Sequence, residues 1–255
     1  MAQIQKWSLF FELLAKVKQK HNILEENMWN MDEHGTCLGV CTNSTVIARA
    51  GKKRSYIKRP QSREWASILE TISSTGVSIR PLIIFTGQNA QTTWFEEGDI
   101  PDYVYTTSDN AWTSSDIAIS WLKDIFLPET TPEADEWRLL LLDGHKTHIP
   151  FDFTAECWEH KVRPFYFPPH ATHLLQPLDL SFFSPLKVRY RRIINDLSEL
   201  DDAAPVKKKR FISAYKLARE MTIQRQCVLG GWRASGICPW NPQKALNSTK
   251  YTMNP

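Results

Sequence analysis

The segment 137–143, WRLLLLD, constrains the fold more than any other part of the sequence. It is short and almost continuously apolar, and it ends in an acid that is followed by Gly144. A strand that is covered by helices on both faces has this unbroken apolar pattern, whereas a half-exposed strand alternates apolar and polar residues. We therefore predict a central strand in a helix-covered sheet, with Asp143 emerging at its carboxyl end.

The flanking segments predict an α/β chain with a mixed β-sheet flanked by α-helices. The predicted strands are a strand–turn–strand unit over 28–47 and single strands over 65–72, 77–85 and 162–167. The predicted helices are an amphipathic N-terminal helix, a helix from Asp116 that is capped near Ser114 and stopped by Pro128, a short helix over 154–160, a long helix from near Asp179, and a helix over 208–221. We expect one domain over residues 1–243. Residues 244–255 have no apolar pattern, so we expect a disordered tail.

Composition and charge exclude several classes of protein. Lys and Arg number 31 against 28 Asp and Glu, a net charge of +3, so a histone-like protein that binds nucleic acid through bulk charge is excluded. The apolar content of 42% argues against wholesale disorder. No apolar run approaches the roughly 20 residues that span a bilayer, and no signal peptide is evident, so we expect no membrane partner. Five scattered cysteines favour reduced thiols in the cytosol or nucleus.

Three aspartates occupy positions where an isolated carboxylate would be costly to bury. Asp32 lies in the first predicted strand unit, Asp143 ends the buried strand, and Asp179 begins the long helix. Carboxylates that converge from separate elements would bind Mg²⁺, which prefers oxygen ligands and is often shared with phosphates. Two such ions could support an in-line phosphodiester displacement. The alternative is that each aspartate caps a turn or a helix, and spacing alone leaves both interpretations open.

Five sequence blocks carry a resemblance to a known family. In chain order they are NMDEHG, RPLIIFTG, LLLDGHKTH, FPPHATHLLQPLDLSFFSPLK and GWRASGICPWNP. Together they resemble the catalytic region of pogo-type transposases, in the mariner/pogo branch of the DDE superfamily, whose relatives include jerky-like and centromere-protein-B-like proteins. Asp143 and Asp179 are 36 residues apart, similar to the second and third acids of this branch. The resemblance implies an RNase H-like fold in which Asp32, Asp143 and Asp179 hold two Mg²⁺ or Mn²⁺ ions. With these ions the domain would cut and rejoin DNA.

The resemblance also implies partners and a location. It predicts a DNA-binding transposase or endonuclease domain that acts in the nucleus, with a homodimer on DNA as one expected assembly. Family members usually carry helix-turn-helix domains upstream, and this sequence starts almost directly at the catalytic region. The alternative expectation is a truncated or domesticated derivative that binds DNA or chromatin without catalysis.

Two histidine pairs favour either of two interpretations. His145 and His148 form one pair and His170 and His173 the other, and together they could supply four nitrogen ligands to zinc, as in a His-ligated metallohydrolase. Both pairs lie within the blocks that resemble the transposases. We therefore favour His145, His148 and His173 as groups that orient carboxylates, water or phosphate beside the aspartates.

Basic residues predict where DNA would bind. The segment 49–63 contains seven basic residues and no acid. The predicted phosphate contacts in it are Lys52, Lys53, Arg54, Lys58 and Arg59. Lys187 and Arg191 are one helical turn apart on the long helix, so both can face the same backbone. A solvated charged surface is the alternative for both stretches. The run 207–210 fits either a nuclear localisation signal or the basic entry to a helix.

Overall fold

The computed structural model describes residues 2–39, 64–95, 100–144, 151–200 and 208–247. Within these ranges, six strands form one sheet in the order β4-β3-β2-β1-β5-β6. The strands are β1 (Met28–Cys37), β2 (Trp65–Ser73), β3 (Leu82–Thr86), β4 (Val104–Ser108), β5 (Arg138–Asp143) and β6 (Val162–Phe167). Strand β2 runs antiparallel to both of its neighbours, and the other adjacent pairs are parallel. The sheet is therefore mixed, as predicted.

Helices pack on both faces of this sheet. The helices are α1 (Ala2–Lys20), α2 (Ser115–Trp121), α3 (Leu127–Thr130), α4 (Phe151–Glu159), α5 (Thr172–Leu175), α6 (Phe183–Leu200), α7 (Lys208–Thr222), α8 (Arg225–Ser235) and α9 (Pro242–Leu246). The described residues also contain two π-helical turns, Leu122–Phe126 between α2 and α3 and Leu178–Phe182 before α6. We call the second of these the Asp179 turn.

The two faces of the sheet border separate apolar cores. Met28, Leu139 and Leu141 belong to the core that also contains α1, α6, α7 and α8. We call this face the α6 side. Trp29 and Leu140 belong to the core that contains α2, α3 and α4 on the opposite face. Side chains alternate along a strand, so every second residue of β1 after Met28 points to the α6 side.

The central strand and several other elements confirm the sequence prediction. Strand β5 covers all but the first residue of the predicted segment, and Leu139, Leu140 and Leu141 are fully buried. Strands β2 and β6 lie where they were expected. Ser114 caps α2, because its hydroxyl accepts a hydrogen bond from the Ile117 N–H at 3.3 Å.

Two predicted boundaries were wrong. Pro128 does not stop the helical segment that begins at Ser115, because it lies in the first turn of α3, where a missing N–H is tolerated. Strand β3 begins at Leu82 and not at residue 77. The Ser73 N–H donates to the Val77 carbonyl at 2.8 Å, so the chain is still completing a turn at that point.

Other differences concern elements that the sequence did not predict. Strand β4 and helices α5, α8 and α9 were missed. Helix α9 extends from Pro242 to Leu246 and buries Ala245. The first half of the predicted strand–turn–strand unit is the ten-residue strand β1, and its second half lies outside the described residues.

Candidate functional site

The middle of β1 and the carboxyl end of β5 place two of the predicted acids on neighbouring strands. The strands pair in parallel, and the last pair of this ladder is Asn30 with Leu141. Asp32 and Asp143 each follow these partners by two residues. Continuation of the same register therefore puts both acids on the α6 side, flanking the point where β1 and β5 cease to pair. Both side chains are partly exposed.

A buried asparagine connects these strands to the third acid. The Asn30 side chain is fully buried, and its Nδ2 donates to the Leu141 carbonyl at 3.1 Å. Its Oδ1 accepts from the Leu178 N–H, also at 3.1 Å. Leu178 begins the Asp179 turn, and the exposed Asp179 follows it directly. One amide therefore links the segments that carry all three acids.

Helix α8 packs against the same turn at backbone distance. A Cβ added at Gly231 would lie 2.3 Å from the Pro177 carbonyl oxygen and 2.5 Å from the Ser181 Oγ. Only a residue without a side chain allows so close an approach. The Cys227 Sγ also donates to the Ser181 carbonyl at 3.3 Å. The Asp179 turn is thus held by α8 as well as by Asn30.

A buried ion pair supports the strand opposite Asp32. Glu70 of β2 is the cross-strand partner of Asp32 and is fully buried. Its carboxylate accepts from the Arg219 Nε at 2.8 Å, the Arg219 Nη2 at 3.0 Å and the Tyr215 hydroxyl at 2.5 Å. Burial and the Glu70 carboxylate raise the pKa of Tyr215 well above its ordinary value, so the hydroxyl stays a donor. Glu70 is therefore charge-compensated within the fold.

His34 belongs to this buried network. The imidazole is 4% exposed, with Nδ1 3.1 Å from the Thr36 Oγ1 and Nε2 3.4 Å from the Tyr215 hydroxyl. Burial, aided by the positive charge of Lys187, lowers the pKa of His34 to about 3. The ring is therefore neutral near pH 7 and adds no cation two residues from Asp32. The sequence alone did not reveal this network, because its members are far apart in the chain.

Helix α6 carries the two predicted basic residues. Arg191 is exposed and Lys187 is partly exposed, one turn apart on the helix that follows the Asp179 turn. The Lys187 Nζ lies 5.6 Å from the centroid of the Phe183 ring. His173, which the sequence predicts to orient carboxylates, water or phosphate, is exposed on α5, six residues before Asp179.

The remaining predicted site residues lie outside the described part of the chain. These are Lys52, Lys53, Arg54, Lys58, Arg59, His145 and His148. The basic segment and the histidine pair after β5 therefore stay predictions, and so does the zinc alternative.

The three aspartates suit a hard divalent cation by their chemistry. Carboxylate oxygens are the ligands that Mg²⁺ and Mn²⁺ prefer, and such ions keep open positions for water and phosphate. Within the described ranges, no group of three or more His, Cys, Asp or Glu side chains is close enough to hold a metal ion. The backbone thus brings the acid-bearing segments together beside the end of the β1–β5 pairing. Convergence of the three side chains remains a prediction.

Comparison with known families agrees with this arrangement. A family model described as DDE superfamily endonuclease matches residues 62–232, about two thirds of the chain. The chain belongs to this family. This DDE superfamily chain is also 33% identical over 235 residues, 91% of its length, to the MFS-type transporter clz9 of Cochliobolus lunatus. It spans only 25% of that protein. None of the helices in the described residues is long and apolar enough to cross a membrane.

Solved structures show the same fold. The Mos1 mariner paired-end complex with Mn matches 91% of the DDE superfamily chain with a TM-score of 0.51 and 12% identity. The pre-cleavage Mos1 transpososome matches 90% with a TM-score of 0.50 and 11% identity. In both comparisons the chain spans 63% of the Mos1 chain. Likeness at this identity concerns the fold alone, and it confirms the RNase H-like architecture that the sequence motifs implied.

Proposed function

We propose that this chain cleaves and rejoins DNA phosphodiesters with divalent ions held by Asp32, Asp143 and Asp179. The observation that carries the proposal is the double hydrogen bond of Asn30, which ties the Asp179 turn to β5 from a position two residues before Asp32. Membership of the DDE superfamily endonucleases supports the same chemistry.

Each residue has a distinct part in this proposal. Asp32 and Asp143 would share the ions, and Asp179 would complete the second site. Two bound Mg²⁺ or Mn²⁺ ions would supply Lewis acidity for the attacking water or 3′-hydroxyl and for the leaving oxygen. Lys187 and Arg191 would bind phosphates of the DNA backbone and so position the scissile bond.

Finer features of the proposal rest on the sequence motifs and on the neighbours. The ordered motifs support assignment to the pogo branch, which includes jerky-like and centromere-protein-B-like derivatives. A DNA substrate supports a nuclear location. The Mos1 neighbours are named as a paired-end complex and a transpososome, and this supports the action of two copies of the chain on DNA.

A plasmid-nicking assay with the purified chain tests the proposal. Nicking should require Mg²⁺ or Mn²⁺ and should stop in excess EDTA. Asp143→Asn and Asp179→Asn should each reduce it to background, because each removes a carboxylate ligand. The control Asp196→Asn changes an exposed acid of α6 and should nick at the wild-type rate.

The outcomes separate two functions. Cleavage that persists in Asp143→Asn or Asp179→Asn would refute the assignment of the three acids. If the wild-type chain binds DNA in a salt-dependent manner but cleaves with neither ion, the chain is the non-catalytic DNA-binding derivative.

A further inference from the structure

We infer that Asn30 is the positioning residue that holds the Asp179 turn beside the last residue pair of β1 and β5 and thereby sets the affinity of the site for a divalent cation. The inference rests on the proposed function, because it assigns Asn30 a role in the affinity of the proposed metal site. The inference goes beyond the three aspartates, because it names the side chain that positions the segments carrying them.

The Asp179 turn begins with a backbone donor that its own helix does not satisfy. The first N–H groups of any helical turn lack an acceptor within the helix. Pro177 has no N–H, so Leu178 is the first donor of the turn. Its hydrogen goes to the Asn30 Oδ1, a side chain 148 residues earlier in the chain. A distant strand therefore caps the turn.

Both polar atoms of the Asn30 amide form hydrogen bonds, one as the acceptor and the other as the donor. The Oδ1 accepts from Leu178 while the Nδ2 donates to the Leu141 carbonyl. An aspartate would keep the acceptor and lose the donor, and a leucine of similar volume would lose both. Both flanking side chains, Leu141 and Leu178, are fully buried, so water cannot easily replace the lost bonds.

This geometry fixes the segments that carry the acids relative to one another. Asp32 lies two residues after Asn30 on the same face of β1, Asp143 two residues after Leu141, and Asp179 directly after Leu178. A metal site whose ligands are already positioned binds more tightly than one that must be assembled. Loss of a group that orients ligands typically weakens metal affinity by about 10- to 100-fold.

The test compares Asn30→Leu with a matched control, Asn27→Leu. Asn27 is also buried, and it donates to Glu136 at 2.6 Å from just before the amino end of β1, away from the acids. Hydrogen exchange of the full chain should show faster exchange over residues 175–182 in Asn30→Leu and unchanged exchange there in Asn27→Leu. Calorimetric titration with Mn²⁺ should show a dissociation constant about 10- to 100-fold higher in Asn30→Leu and unchanged in Asn27→Leu.

Asn30→Asp provides a second variant that tests the inference if Asn30→Leu does not fold. It keeps the acceptor for Leu178, so exchange over 175–182 should lie between wild type and Asn30→Leu. Wild-type protection of residues 175–182 in both Asn30 variants would overturn the inference. An Mn²⁺ affinity of Asn30→Leu equal to that of Asn27→Leu would also overturn it. A wild-type chain that binds no Mn²⁺ and nicks no DNA would instead overturn the proposed function together with the affinity role of Asn30.

Discussion

One added methyl group at Gly231 should move the segment that carries Asp179. The Cβ of an alanine would lie 2.3 Å from the Pro177 carbonyl oxygen, whereas ordinary contacts begin at 3.4 Å. The Ser181 hydroxyl can rotate away, but the carbonyl belongs to the backbone. The turn and α8 must therefore separate by about 1 Å.

The energetic cost can be isolated with a neighbouring glycine. Forcing a methyl group into a packed contact costs about 1–3 kcal/mol. Glycine to alanine in a helix also contributes about 1 kcal/mol of stabilisation, and this applies equally at Gly230. A Cβ at Gly230 meets nothing within 4 Å, so Gly230→Ala measures the helix contribution alone. Gly231→Ala should therefore be less stable than Gly230→Ala by about 1–3 kcal/mol.

Urea unfolding followed by circular dichroism measures this difference, and the nicking assay measures its effect on function. A displacement of about 1 Å in a catalytic group can lower the rate about 100-fold. We expect Gly231→Ala to nick DNA about 100-fold more slowly than Gly230→Ala at equal fraction folded. Equal stability of the two variants would refute the packing argument. Equal nicking with unequal stability would show that the shift does not reach Asp179.

Three further predictions concern other parts of the structure. Arg219→Met should lower the free energy of unfolding by about 3–5 kcal/mol, because it leaves the Glu70 carboxylate buried without a cation, and Glu70→Gln in the same chain should recover much of the loss in urea unfolding. Burial raises the pKa of the Cys157 thiol to about 12, so at pH 8 the folded protein keeps it protonated. Mass spectrometry should find Cys157 alkylated by iodoacetamide only after unfolding, and rapid modification of the folded protein would contradict its burial. Replacing Lys187 and Arg191 with alanine should reduce the slope of log affinity for DNA against log salt by about 0.9 for each lost phosphate contact, and an unchanged slope would place these residues away from DNA.

Local sequence pattern was enough to predict the centre of the sheet. The run in β5 has a single physical explanation, burial on both faces, and Asp143 follows it directly. Strand β4 escaped prediction because all five of its residues are partly buried, so it lacks the alternation that marks a half-exposed strand. Helix α8 was missed because two adjacent glycines, Gly230 and Gly231, argue against a helix locally. The contact with the Asp179 turn explains why one of them is there.

The supporting residues of the site could not be predicted in the same way. Asn30 and Glu70 are visible in the sequence as polar residues inside strands. Their roles depend on Leu178 and Arg219, which lie 148 and 149 residues away. Such pairings follow from the completed fold and leave no periodic signal in the chain.

The position of β1 at the centre of the sheet has a consequence for how the chain folds. One edge of β1 pairs at once with β2, but the other waits for β5, which is more than 100 residues later. Synthesis at about 5–20 residues per second leaves that edge open for roughly 5–20 seconds. Such long-range pairing favours slow folding, and an open strand edge can pair with another chain. Recovery of the protein during expression should therefore depend on temperature and synthesis rate. The β1–β5 pairing, which brings Asp32 and Asp143 onto neighbouring strands, is among the last parts of the sheet to form.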